Sequence, residues 1–203
     1  GKAALAALNY LDWTPDIVHC HDWQAALVPL YLRTCFSDTN VGRAIAVLTI
    51  HNLRFQGVYD RKTIQYWSGL PDYVFNKDCM IQNWLDANML KGGITYSNKV
   101  TTVSNSYAEE IKTPFYGEGL DGLMSARAND LCGIVNGLDY TDWDPASDPR
   151  IAKTFSVEDF RKNKVLNKKA LQEELGLEKD TKTMMIGMIS RLTYQKGFDR
   201  VDY

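Results

Sequence analysis

Thr183 to Gly197 reads Thr-Met-Met-Ile-Gly-Met-Ile-Ser-Arg-Leu-Thr-Tyr-Gln-Lys-Gly. Met184 to Ile189 is an apolar run of strand length, the pattern of a strand buried on both faces of a parallel sheet. The run stops at Ser190 and Arg191. Open parallel sheets bind ligands beyond the carboxyl ends of their strands, which places Arg191 and Lys196 where a ligand would sit. Two cations on a tight turn suit a diphosphate. Arg191 offers a planar fork for phosphate oxygens, Lys196 a mobile point charge, and Gly197 lets the backbone come close. A solvated basic loop after a core strand is the plain alternative.

Two upstream units repeat the pattern of a strand ending in polar residues. In Asp16-Ile17-Val18-His19-Cys20-His21-Asp22-Trp23, which follows Pro15, Ile17 to Cys20 reads as a short strand. Asp22 is placed to cap a helix from Trp23 to Arg33. Ala44 to Ile50 reads as another buried strand, followed at once by His51-Asn52-Leu53. Strands alternating with helices argue for a parallel α/β sandwich. His51 is then expected in the same crevice as Asp22, where a neutral imidazole can donate to a substrate hydroxyl or simply be satisfied by backbone groups. His19 and His21 also allow a metal reading, that of a metal-dependent hydrolase.

Further on, Arg54 to Gly57 reads as loop, Arg61 to Ser68 as a short helix and Gly69 to Lys77 as irregular. Tyr66, Trp67, Tyr73 and Phe75 there can stack on sugar rings or pack. Cys79 to Ser97 has helical spacing, with Met80, Trp84, Met89 and Ile94 among its apolar positions, and Gly92-Gly93 inside it calls for close packing or ligand approach. Lys99 to Val103 is expected as a strand, with Ser104 and Ser106 as caps for a helix to about Lys112. A glycine-rich loop from Tyr116 to Gly122 precedes a short helix to about Ala128, and Cys132 to Val135 reads as a strand ending in Asn136-Gly137. The Asp-Pro loops between Leu138 and Pro149 mark a domain boundary. Ser156 and Asp159 resemble a capping box for a helix to Leu175, stopped by Gly176.

Composition narrows the class. The 203 residues are 45% hydrophobic and 24% charged with a formal net charge of -2, which gives no footprint for nucleic acid. No signal peptide or membrane-length apolar run is read, so the expected compartment is the cytoplasm or an organelle stroma. Cys20, Cys35, Cys79 and Cys132 show no paired spacing and read as reduced thiols, mostly core. The chain opens inside a helical pattern and closes at Val201-Asp202-Tyr203, where a helix should follow, so a fragment truncated at both ends is expected.

Five motifs carry a resemblance: PDIVHCHDW (Pro15 to Trp23), TIHNLRFQG (Thr49 to Gly57), Met89 to Gly93 with Thr101 to Ser104, VNGLDYTDW (Val135 to Trp143) and SRLTYQKG (Ser190 to Gly197). Their order and spacing resemble bacterial glycogen synthases and plant starch synthases over nearly the whole chain. The resemblance implies the GT-B architecture of two Rossmann-like domains and transfer of glucose from ADP-glucose to the non-reducing end of an α-1,4-glucan. Retention of configuration and no metal or other cofactor are implied with it. Residues 1–145 would be the later part of the acceptor-side domain, 146–180 a linker and helix, and 181–203 the start of the nucleotide domain. His51, Arg191 and Lys196 match catalytic positions, and Asp22, Asn52 and Asn136 join the two cations in substrate binding. Asn105 stands where the family usually has proline, which should loosen that helix start. The partners implied are a nucleotide sugar and an α-glucan, with no nucleic acid and no membrane; in a plant or alga the compartment would be the plastid stroma. A catalytically silent glucan-binding relative is the other reading. Alone, these 203 residues are expected to fold poorly and to transfer no glucose.

Overall fold

The structure, a computed structural model, describes residues 1–11, 13–83 and 85–201. Trp84 and the closing Asp202 and Tyr203 lie outside the described residues. The chain divides into two compact units, Gly1–Asn136 and Gly137–Tyr203.

The first unit opens with α1 (Lys2–Leu8), a run of alanine and leucine whose Leu5 is buried. Strand β1 (Ile17–His21) leads into α2 (Asp22–Ala25) and α3 (Leu27–Arg33), and β2 (Ile45–Ile50) follows. Next come β3 (Val58–Asp60), α4 (Arg61–Ser68), β4 (Ile81–Asn83) and β5 (Asp86–Asn88). After these, α5 (Met89–Tyr96), β6 (Lys99–Thr102), α6 (Asn105–Glu110), α7 (Asp121–Ala126) and β7 (Leu131–Gly133) complete the unit.

Four strands form one parallel sheet in the order β1-β2-β6-β7. The expected parallel α/β architecture is therefore present. In register, Cys20 pairs with Leu48, Thr49 with Thr101, and Thr101 with Cys132. Ala46, Leu48, Ile50 and Val100 are fully buried between the helices, and for β2 this burial is why its sequence reads as an apolar run. Because all four strands run the same way, their carboxyl ends share one edge of the sheet. A smaller antiparallel sheet, β3-β5-β4, sits beyond β2 in the chain.

The sequence reading of a single helix over Cys79 to Ser97 is corrected here. Its first half is the β4–β5 hairpin, and the helix starts only at Met89, after Asn88 caps it by accepting the Lys91 N–H. Met80 and Ile81 are buried, so the apolar spacing served strand packing rather than a helix face. At Gly93 an added Cβ would lie 2.7 Å from both the Cβ and the carbonyl oxygen of Ala26, so the two helical segments touch backbone to backbone. The glycine pair thus meets the packing requirement. Ser104 accepts the Tyr107 N–H and caps α6 as its sequence suggested, with Asn105 as the first helical residue. Arg127 closes α5 from outside: its guanidinium donates to the carbonyls of Ile94, Thr95 and Ser97 at 2.8, 3.1 and 2.6 Å, which the helix leaves without partners.

The second unit holds α8 (Phe160–Glu174). Ser156 donates its N–H to Asp159, half of the capping box, but Asp159 itself is the residue before the helix. The C-terminus is closed as expected, with Gly176 at φ +66°, its N–H on Glu173 and the Leu177 N–H on Gln172. Residues 184–189 form no strand. Met184, Ile186 and Ile189 are 81, 78 and 102% exposed. A strand needs a neighbour to take its backbone hydrogen bonds, and the second unit offers none among the described residues. The only described residues buried in this unit are Asn163 and Gln172, both polar.

Candidate functional site

The carboxyl edge of the parallel sheet gathers the polar strand ends. Asp22 follows β1, His51 and Asn52 follow β2, and Asn136 follows β7. Asp22 does not cap the helix as its position suggested. It adopts φ +56°, a left-handed conformation that costs a residue with a side chain of order 1–3 kcal/mol, and its Oδ1 accepts the backbone N–H of His51 at 2.8 Å. The strain is spent on tying the end of β1 to the end of β2. Asn52 Oδ1 accepts the Arg54 N–H at 3.0 Å and folds the loop after His51.

Behind this tie lies a row of imidazoles that sequence spacing only half suggested. His21 Nδ1 and His51 Nε2 are 3.0 Å apart, and the rings of His19 and His21 lie with centroids 4.4 Å apart, tilted by 33°. His19 Nε2 bonds Thr49 Oγ1 at 2.7 Å, which bonds Thr101 Oγ1 at 2.6 Å across the sheet. Burial, then the neighbouring His21 and His51, hold His19 below its ordinary pKa. Thr49 and Thr101 were missed as members of this network. Their signal was a threonine near the carboxyl end of each of two neighbouring strands. His19 and His21 bond Thr49 and His51, and no group of three or more His, Cys, Asp or Glu that could hold a metal ion occurs among the described residues.

Beside the loop after His51 opens a cavity of about 470 Å³. Trp23 and Tyr59 form one wall, with ring centroids 6.0 Å apart, and Arg54, Gln56, Gln82 and Glu118 bring polar groups to it. This mix of aromatic face and convergent polar groups is the usual make-up of a small-molecule site. Trp23, Arg54 and Gln56 stood in quoted motifs and Glu118 in the glycine-rich loop, but none of them was singled out as a site residue, and Tyr59 and Gln82 did not stand out in the sequence. By contrast, Tyr66, Trp67 and Tyr73 are exposed and Phe75 is buried beneath Arg61. Cys20 and Cys79 are buried core thiols, pushed up to about 11 and about 12 by desolvation, whereas Cys35 and Cys132 are exposed; all four are free.

Arg191 and Lys196 lie in the second unit, both exposed. Arg191 follows the unpaired segment rather than a strand end, and Lys196 closes a short 3₁₀ turn whose N–H donates to Thr193.

Fold and site define a class, an α/β protein with its polar groups gathered at the carboxyl edge of a parallel sheet. Residues 1–126 match the family described as "Starch synthase catalytic domain". Over 202 residues the chain is 53% identical to a glycogen synthase of Lachnoclostridium phytofermentans, and over 203 residues 55% identical to one of Lachnospira eligens. These alignments cover 99 and 100% of the chain but 42% of each relative. The chain is also similar to the solved catalytic domain of starch synthase IV from Arabidopsis thaliana bound to ADP and acarbose. There the identity is 34% and the TM-score 0.74, over 87% of this chain and 36% of that one. The chain belongs to the starch synthase catalytic domain family, and it spans about two fifths of the length of the curated relatives it matches.

Proposed function

We propose that the protein carrying this chain is a glycogen or starch synthase that transfers glucose from ADP-glucose to the non-reducing end of an α-1,4-glucan, with retention and without a metal. The observation that carries the reading is the tie between Asp22 and His51, which fixes an imidazole-bearing loop at the carboxyl edge of the sheet. His51 contacts the transferred glucose, with Asn52 and Asn136 on the same edge. The cavity walled by Trp23 and Tyr59 takes the glucan. Arg191 and Lys196 bind the donor diphosphate and stabilise charge on the departing ADP, where fixed positive groups gain most because phosphate charge grows in the transition state. In this assignment residues 1–145 belong to the acceptor-side domain, 146–180 to the linker and 181–203 to the nucleotide domain, and the enzyme works in the cytoplasm or a plastid stroma.

The test is glucose transfer by the full-length protein. Arg191→Ala and Lys196→Ala should each lower turnover by roughly 10²-fold or more, the scale of losing one charge-stabilising donor, with thermal unfolding unchanged. Near-normal turnover in both variants would count against the phosphate assignment.

A further inference from the structure

Asn88 is fully buried at the end of β5 and bonds in three directions. Its Oδ1 accepts the Lys91 N–H at 2.9 Å, which caps α5. Its Nδ2 donates to Gln56 Oε1 at 2.5 Å and to Gln82 Oε1 at 2.7 Å. Gln56, only 8% exposed, donates its own Nε2 to the carbonyls of Leu53 at 3.1 Å and Glu118 at 3.0 Å. One orientation of each amide satisfies this set. Turning Asn88 would set its oxygen against two side-chain oxygens. Turning Gln56 would set its oxygen against two carbonyls and its NH₂ against that of Asn88. The cap alone is served as well by aspartate or serine, so it is the second link that demands a buried amide.

That link reaches the site. Gln56 ends the loop that begins at His51, and Gln56, Gln82 and Glu118 all line the cavity. The backbone of the loop is held from the same side, with Met89 N–H on Gly57 O at 3.1 Å and Leu90 N–H on Gln56 O at 3.0 Å. Asp22 therefore holds the front of the loop and Asn88 its rear.

We propose that Asn88 is a positioning residue: through Gln56 it sets the loop from His51 to Gly57 and the Glu118 side of the cavity, and so sets affinity for the glucan. This rests on the reading above that the cavity takes sugar. Asn88→Asp keeps the cap acceptor but presents a second oxygen to Gln56 Oε1 and Gln82 Oε1. Gln56→Glu keeps its acceptor for Asn88 but can no longer donate to Leu53 and Glu118, and it probes the same link if Asn88→Asp does not accumulate as folded protein.

In the full-length protein, glucose transfer from ADP-glucose is measured against glycogen concentration, and ADP binding by calorimetry, at a temperature where each variant is folded by circular dichroism. The expected result is a rise of at least about tenfold in KM for glycogen, with the ADP dissociation constant within about twofold of wild type; one unit of log affinity is the scale of a lost buried hydrogen bond. An unchanged KM for glycogen overturns the inference, as does a parallel loss of ADP affinity, which marks a general loosening. A wild-type protein that transfers no glucose overturns the underlying reading and this inference with it.

Discussion

Replacing Gly57 by alanine tests the geometry of the cavity wall. Gly57 adopts φ +63°, and a Cβ built on it would lie 2.4 Å from Trp23 Cε3 and 2.9 Å from Met89 Cε. The left-handed backbone costs alanine roughly 1–2 kcal/mol, and forcing a methyl group into filled space adds about 1–3 kcal/mol. The Met89 methyl can swing aside, but the Trp23 ring carbon cannot. Trp23 is in α2 and stands against Tyr59, while Met89 starts α5 with its N–H on the Gly57 carbonyl. The sum is about 2–5 kcal/mol. Gly122 in α7 is the control, since a Cβ there meets nothing within 4 Å and alanine should gain about 0.5–1 kcal/mol. Thermal unfolding of the full-length protein, followed by circular dichroism, should show a fall of roughly 5–15 °C for Gly57→Ala and none for Gly122→Ala. A Gly57→Ala protein melting within about 2 °C of wild type would refute the steric account.

Arg127→Ala should cost about 1.5–3 kcal/mol in urea unfolding, because its charged donors satisfy the last carbonyls of α5; a loss below about 0.5 kcal/mol would contradict that role. His19 titrates below its ordinary value of 6.5 when folded, so the unfolded chain binds the extra proton first. Its contribution to stability is complete above 6.5 and is lost as pH falls toward the lowered folded value. Urea midpoints at pH 7.5 and 5.5 should therefore differ less in His19→Asn than in wild type. A thiol reagent should label Cys35 and Cys132 in the native protein and reach Cys20 and Cys79 only on unfolding, since burial raises both buried thiols to about 11 and about 12; equal labelling rates would sink this.

The parallel sheet was legible because β2 is a largely apolar, mostly buried run and because short β-branched stretches alternate with helical ones along the chain. Ile17 to Cys20, Ala44 to Ile50 and Lys99 to Val103 all fall within a residue of the observed strand bounds. The α4 helix was legible to the residue, with Asp60 capping its start and Gly69 its end. What misled was pattern without partner. Met184 to Ile189 has the composition of a core strand, but strand formation depends on a neighbouring strand, and residues 137–201 supply none among those described. Cys79 to Asn88 has helical spacing, yet Asn88 is a strong cap and marks the true start of α5 at Met89; that signal was in the sequence and outweighed by the apolar period. At the site, the residue types were legible and their bonding was not. Asp22 reads as a cap by position, and only the left-handed turn in three dimensions sends its carboxylate to His51 instead. The Asn88–Gln56 link joins residues far apart in the chain, which no local pattern reveals.

The account stands most directly on His51. Glucose transfer from ADP-glucose to glycogen should be measured for the full-length protein and for His51→Ala. The account predicts active wild type and a variant slowed by roughly 10²–10³-fold, with ADP binding and unfolding temperature retained. A His51→Ala protein that transfers glucose within about threefold of wild type, against that expectation, would contradict the assignment of the carboxyl edge as the sugar site.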